Sequence, residues 1–83
     1  MNDAEFKEKV YGPYNEAWKI LRIIQDAGQN KRDDETWQKY MNEIDRFCKS
    51  NEGNHFAQET LTKMLIDAGE DIAKMNRRGE DAV

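Results

Sequence analysis

One histidine, one cysteine and one proline are all that these 83 residues carry of three functionally loaded types, and each scarcity removes a class of function. A protein metal site needs three or four ligands of matched softness; His55 and Cys48 supply two at best. His55 follows Asn54 at a predicted helix start and reads as a cap-region residue. Cys48 has no internal partner for a disulfide, so a reducing interior, the cytoplasm, is the expected compartment. It falls in phase with neighbouring apolar residues and reads as a small core filler rather than a nucleophile. No apolar run approaches the ~18 residues of a membrane span, and Met1-Asn2-Asp3 does not begin a secretory leader, so no membrane association is expected.

Positive charge is also in short supply. Thirteen Lys and Arg stand against 17 Asp and Glu, a net charge of −4. Nucleic acid and anionic lipid call for a basic field. The basic pairs Lys31-Arg32 and Arg77-Arg78 are the only ones, and they define the alternative reading, a nucleic-acid-associated regulator. Phosphate loops, dinucleotide fingerprints, EF-hand loops and H-E-x-x-H are all missing. Glu43 and Asp45 point apart on one predicted helix, and Asp33-Asp34-Glu35 is a capping cluster. Paired-carboxylate chemistry needs a cleft between two walls, which a thin bundle lacks. The expectation is a non-catalytic protein without cofactor or metal.

What is present is a strong helical period. Apolar residues make up 37% and charged residues 36% of the chain, a balance that suits amphipathic helices around one small core. The stretch from Tyr14 to Gly28 organises the rest. On a helical wheel Ile23, Ala27, Ile20, Ile24, Ala17, Gly28, Leu21, Tyr14 and Trp18 follow one another over roughly 220°, about twice the arc that a helix on one core needs. Such a helix must be covered from two directions, either by two helices of its own chain or by one helix and a second copy of the protein.

The other segments carry narrower stripes. Trp37, Tyr40, Met41, Ile44, Phe47 and Cys48 span about 120°; Ala57, Leu61, Met64, Leu65, Ala68, Ile72 and Met75 span about 100°. Asn2 and Asp3 can cap a first helix, and Glu5 stands three residues after Asn2. Gly12-Pro13 makes residues 3–11 either a separate short helix or the kinked start of a longer one, with Phe6 as a lid on one end. Gly28 and Gly53 fit helix ends, Asp33 or Asp34 and Asn54 fit helix starts. Gly69 costs roughly 1 kcal/mol against Ala, yet the stripe stays in phase through it, which predicts one helix rather than two.

The prediction is an all-α, up-down-up three-helix bundle in a single domain, with a short extra N-terminal helix before Pro13. Its helices cover about 3–11, 13–27, 33–49 and 54–76, and residues 79–83 form a frayed tail. Either the last helix covers Ile20, Ile23 and Ala27 and the bundle is monomeric, or the flanking helices cover Tyr14, Ala17, Leu21 and Ile24 and leave Ile20, Ile23 and Ala27 partly open, with Ile66 off the stripe of the last helix. These four are the candidate interface residues, and the expected role is protein–protein interaction, a second copy of the chain among the candidate partners.

Overall fold

Helix formation begins at Asn2, whose side-chain oxygen accepts the Glu5 backbone N–H at 2.8 Å. This is the N-terminal cap that the sequence proposes. The computed structural model describes residues 1–27 and 34–81, with side chains at 1–26 and 35–75. From the cap the chain runs as one helix, α1, over residues 3–27. It is α-helical over Asp3–Phe6, π-helical over Lys7–Tyr11 and α-helical again over Gly12–Ala27. The second helix, α2, covers Asp34–Ser50. The third, α3, covers residues 56–81, with a π-helical first part, Phe56–Leu61, and an α-helical part, Thr62–Asp81. The described residues form an all-α three-helix bundle without a strand.

The N-terminal segment is therefore the start of α1 rather than a separate helix. Proline inside a helix removes one N–H and crowds the carbonyl four residues before it, here that of Lys9. The π-helical turn absorbs this crowding: the Gly12 N–H reaches back to the Lys7 carbonyl, one residue beyond the α-helical partner. The Lys9 carbonyl is then available to another donor, and Asn54 Nδ2 takes it at 2.8 Å. Asn54 also caps α3, its Oδ1 accepting the Ala57 N–H at 3.1 Å. One side chain thus starts α3 and satisfies the carbonyl that Pro13 cannot serve.

Asn54→Ala should lower stability by about 1–2 kcal/mol, the cost of a lost cap together with an unpaired carbonyl. Asn54→Asp keeps the cap oxygen but brings no donor, so it should recover only part of that loss. In a Pro13→Ala background, where residue 13 regains its N–H, the Asn54→Asp penalty should shrink. Urea unfolding of the four proteins checks this, and equal penalties in both backgrounds would dissociate Pro13 from Asn54.

The turn between α2 and α3 is closed by the same accounting of backbone groups. Ser50 Oγ and Asn51 Nδ2 donate to the Phe47 carbonyl at 3.0 and 2.8 Å, and Gln58 Nε2 donates to the Cys48 carbonyl at 2.9 Å. Gly53 takes φ +86°, the left-handed conformation glycine adopts without strain.

Each helix contributes three buried apolar residues: Ala17, Ile20 and Ile24 from α1, Tyr40, Ile44 and Phe47 from α2, and Ala57, Leu61 and Leu65 from α3. Leu21, Ile23, Trp37, Met41, Met64, Ile66 and Ile72 pack around them. α1 lies against both other helices, as its wide apolar arc requires. Two helices of the same chain meet that requirement.

α2 and α3 approach each other at Tyr40. Its ring lies against Gly69, where a Cβ would sit 2.6 Å from the Tyr40 Cε2 atom. The Tyr40 hydroxyl donates to the Leu65 carbonyl, the i−4 acceptor on the same turn of α3. Gly69 is therefore no helix break; it makes room for a buried tyrosine, and α3 continues through it as predicted.

Two predicted core assignments are corrected. Phe6 is no lid: it is 51% exposed, and Asp3–Phe6 touches no other element of the bundle. Met75 is exposed although it is in phase with the α3 stripe. The Lys9–Asn54 contact sets the register, so at 1.5 Å per residue the end of α1 is level with about residue 72 of α3. Met75 has passed the helix it was expected to pack on. α3 also runs five residues beyond its predicted end at 76.

Candidate functional site

The end of the α1 arc that the bundle leaves open is the end opposite to Ile20, Ile23 and Ala27. Ile20 is 7% exposed and belongs to the core, and Ile23 and Ile66 are half-buried against it. Ile20 is thereby closed to a partner, and Ile23 and Ile66 are closed in part. The Ala27 side chain lies outside the described residues, as do Gly28, Lys31, Arg32, Asp33 and the side chains of Arg77 and Arg78.

Tyr14 and Trp18, at the other end of the arc, are each 56% exposed, and Tyr11 is 60% exposed. These three recur at i, i+3 and i+7, and half-buried Leu21 follows at i+10. That alternation of three and four residues is the spacing of a seam between two packed helices. An apolar stripe with this period on an exposed helix face is what an outside helix would meet.

The seam opens into a groove of about 370 Å³ between α1 and α3. Tyr14, Trp18 and Leu21 form one wall, and Phe56, Thr60, Leu61 and Met64 the other. Phe56 and Leu61 belong to the π-helical part of α3, and Tyr14 follows the π-helical turn of α1, so the groove begins where both helices are widened. π-helical turns inside α-helices are frequent at functional positions. The polar groups among the lining residues are the Tyr14 hydroxyl, the Trp18 indole N–H and the Thr60 hydroxyl. No carboxylate, imidazole or amine lines the groove. It is suited to desolvating an apolar surface and to fixing it with a few hydrogen bonds.

The remaining chemistry-bearing residues are dispersed. His55 is exposed at the start of α3, with Nε2 3.0 Å from Glu59 Oε2. Cys48 is a free thiol, half-buried on α2. Among the described residues no three His, Cys, Asp or Glu side chains come together as a metal site. The other ion pairs, Arg22–Asp26, Glu43–Arg46 and Asp45–Lys49, are exposed pairs within single helices, of a kind that contributes at most about 1 kcal/mol each. No helix among the described residues is long and apolar enough to cross a membrane.

Tyr11, Tyr14 and Trp18 could have been found from the sequence, since the seam spacing is visible there. The signal that was missing is which part of a 220° arc two helices cover. The sequence and the fold were also compared with protein-family models, curated proteins and solved structures, and none of these matches the chain.

Proposed function

We propose that this chain is a non-catalytic helical interaction module whose contact surface is the aromatic groove between α1 and α3. The single observation that carries this reading is the pairing of Tyr14 and Trp18, each 56% exposed, beside an otherwise apolar groove. Large aromatics are concentrated where proteins bind one another, because each covers much area with few rotatable bonds. A folded chain rarely leaves several of them open on one face without a use. The free, half-buried Cys48 is consistent with a reducing compartment, and the cytoplasm is the proposed site of action.

A photo-crosslinking amino acid placed at position 18, and in a second protein at the exposed outer position 39 of α2, tests the surface. Discrete adducts are expected from position 18 in a lysate of the native host and none from position 39. No adduct from position 18, with a foreign protein or with the chain itself, would remove the reading. Trp18→Glu should change folding stability by no more than about 1 kcal/mol, since more than half of the ring is already in water. A larger loss in urea unfolding would identify Trp18 as a core residue instead.

A further inference from the structure

We infer that the aromatic seam is closed by a second copy of the chain, the two α1 helices lying antiparallel about a two-fold axis so that Tyr14 of each protomer meets Trp18 of the other. The inference rests on the reading of this face as an interaction surface, and adds the occupant and its orientation.

Area is the first reason. An aromatic side chain presents roughly 150–250 Å², so Tyr11, Tyr14 and Trp18 leave about 100 Å² each in solvent. With half-buried Leu21, Phe56 and Met64 beside them, the patch offers about 400 Å² of apolar surface. A standard interface takes ~800 Å² from each partner, somewhat over half of it apolar. One equal patch on a second copy therefore covers this one with little left bare, and a two-fold pairing closes on itself without leaving a seam for further growth.

Charge and shape select the antiparallel orientation. Residues 3–9 carry Asp3, Glu5 and Glu8 against Lys7 and Lys9, whereas residues 19–26 carry Lys19 and Arg22 against Asp26. Antiparallel helices set the more acidic end against the more basic one; parallel helices set like ends together. The overhang agrees. Asp3–Phe6 touches neither α2 nor α3 of its own bundle. With Tyr14 level with the partner's Trp18, residue 6 comes level with residue 26 of the partner, so the free turn gains a helix to lie on. A parallel pairing would place one bare overhang beside another.

Sedimentation velocity of the full chain across roughly 5 to 500 μM tests the pairing. A monomer–dimer transition within that range is expected. In a Trp37→Phe background the Trp18 emission should move to shorter wavelength over the same concentrations. Trp18→Glu should raise the dissociation constant about 100-fold or more while helical circular dichroism and the unfolding midpoint are retained, both proteins being compared at a concentration where each is monomeric.

Orientation is read separately, in a Cys48→Ala background, from an equimolar mixture of Lys7→Cys and Gln25→Cys proteins joined by a short bis-maleimide. Mixed 7–25 adducts should exceed 7–7 and 25–25 adducts. An excess of like adducts overturns the antiparallel pairing. A chain that stays monomeric to the highest concentration with constant Trp18 emission overturns self-association altogether. If that monomer still yields a foreign adduct from position 18, only the self-pairing has failed and the interaction surface stands.

Discussion

Gly69→Ala should destabilise the protein by about 2–3 kcal/mol, although alanine is the better helix former by roughly 1 kcal/mol. The reason is distance. A Cβ at residue 69 would stand 2.6 Å from Cε2 and 2.8 Å from both Cζ and the hydroxyl oxygen of Tyr40. That ring is fully buried, so it cannot swing into solvent to relieve the contact. Either α3 moves away from α2, or the ring leaves its rotamer and the hydroxyl loses the Leu65 carbonyl.

Urea unfolding measures the loss, and the Tyr40→Leu background identifies its source. Leucine has no atoms where the distal ring was. Adding Gly69→Ala there should be neutral or stabilising, as helix propensity alone would have it. If alanine at 69 costs as much beside leucine as beside tyrosine, the close approach is not what glycine is there for.

The second large effect is at alkaline pH. Burial pushes the Tyr40 phenol from its ordinary 10.0 up to about 12, because the fold offers a phenolate no water. A pKa raised in the folded state means that the neutral form is the one the fold favours. The stabilisation is fully present below pH 10 and is lost as pH rises from 10 through about 12. Two pH units correspond to roughly 2–3 kcal/mol, a large share of the stability of a domain this small.

The comparison with Tyr40→Phe gives this a sign that can be checked. At pH 8 the native protein should be the more stable by about 1 kcal/mol, the value of the hydroxyl's bond to the Leu65 carbonyl. Between pH 10 and 12 the order should reverse, since phenylalanine has no proton to lose. A tyrosinate absorbance step near pH 12 should be present in the native protein and missing in the variant. Parallel stability curves for the two proteins across that range would exclude Tyr40 as the titrating group.

Both effects centre on Tyr40 and Gly69, and the sequence held half of that relation. The stripe that continues in phase through Ile72 and Met75 makes one continuous helix the better reading of α3, and the fold agrees although Met75 is exposed. Nothing in the order of residues told that a tyrosine 29 positions earlier would lie against that glycine. Asn54 is a similar case. Its capping role follows from its place beside Gly53, but its second hydrogen bond, to the Lys9 carbonyl, depends on Pro13 and on α1 and α3 lying side by side.

The candidate interface shows the same division most sharply. The wide arc of α1 predicts cover from two directions, and leaves two outcomes for the edge formed by Ile20, Ile23 and Ala27: covered by α3, or bare. Ile20 and Ile23 are in or against the core, while Tyr14, expected to be covered if that edge were bare, stands out in solvent together with Trp18. Periodicity measures the width of an apolar arc; it carries no information about the angle at which neighbours settle on it.

The sequence by itself determined that this protein is helical, that Asn2 and Asn54 cap helices, which residues can face a core and that the middle of α1 must be the element shared by the other two. These follow from local rules: backbone groups at helix ends need partners, and apolar side chains recurring every three to four residues need one face out of water. Only the tertiary structure decided which edge of α1 stays open, that the chain passes Pro13 without ending a helix, and that Gly69 serves Tyr40. Those outcomes depend on contacts between residues 29 to 45 positions apart, such as Gly69 with Tyr40 and Asn54 with Lys9, and such distances are set by how three helices pack rather than by any one of them.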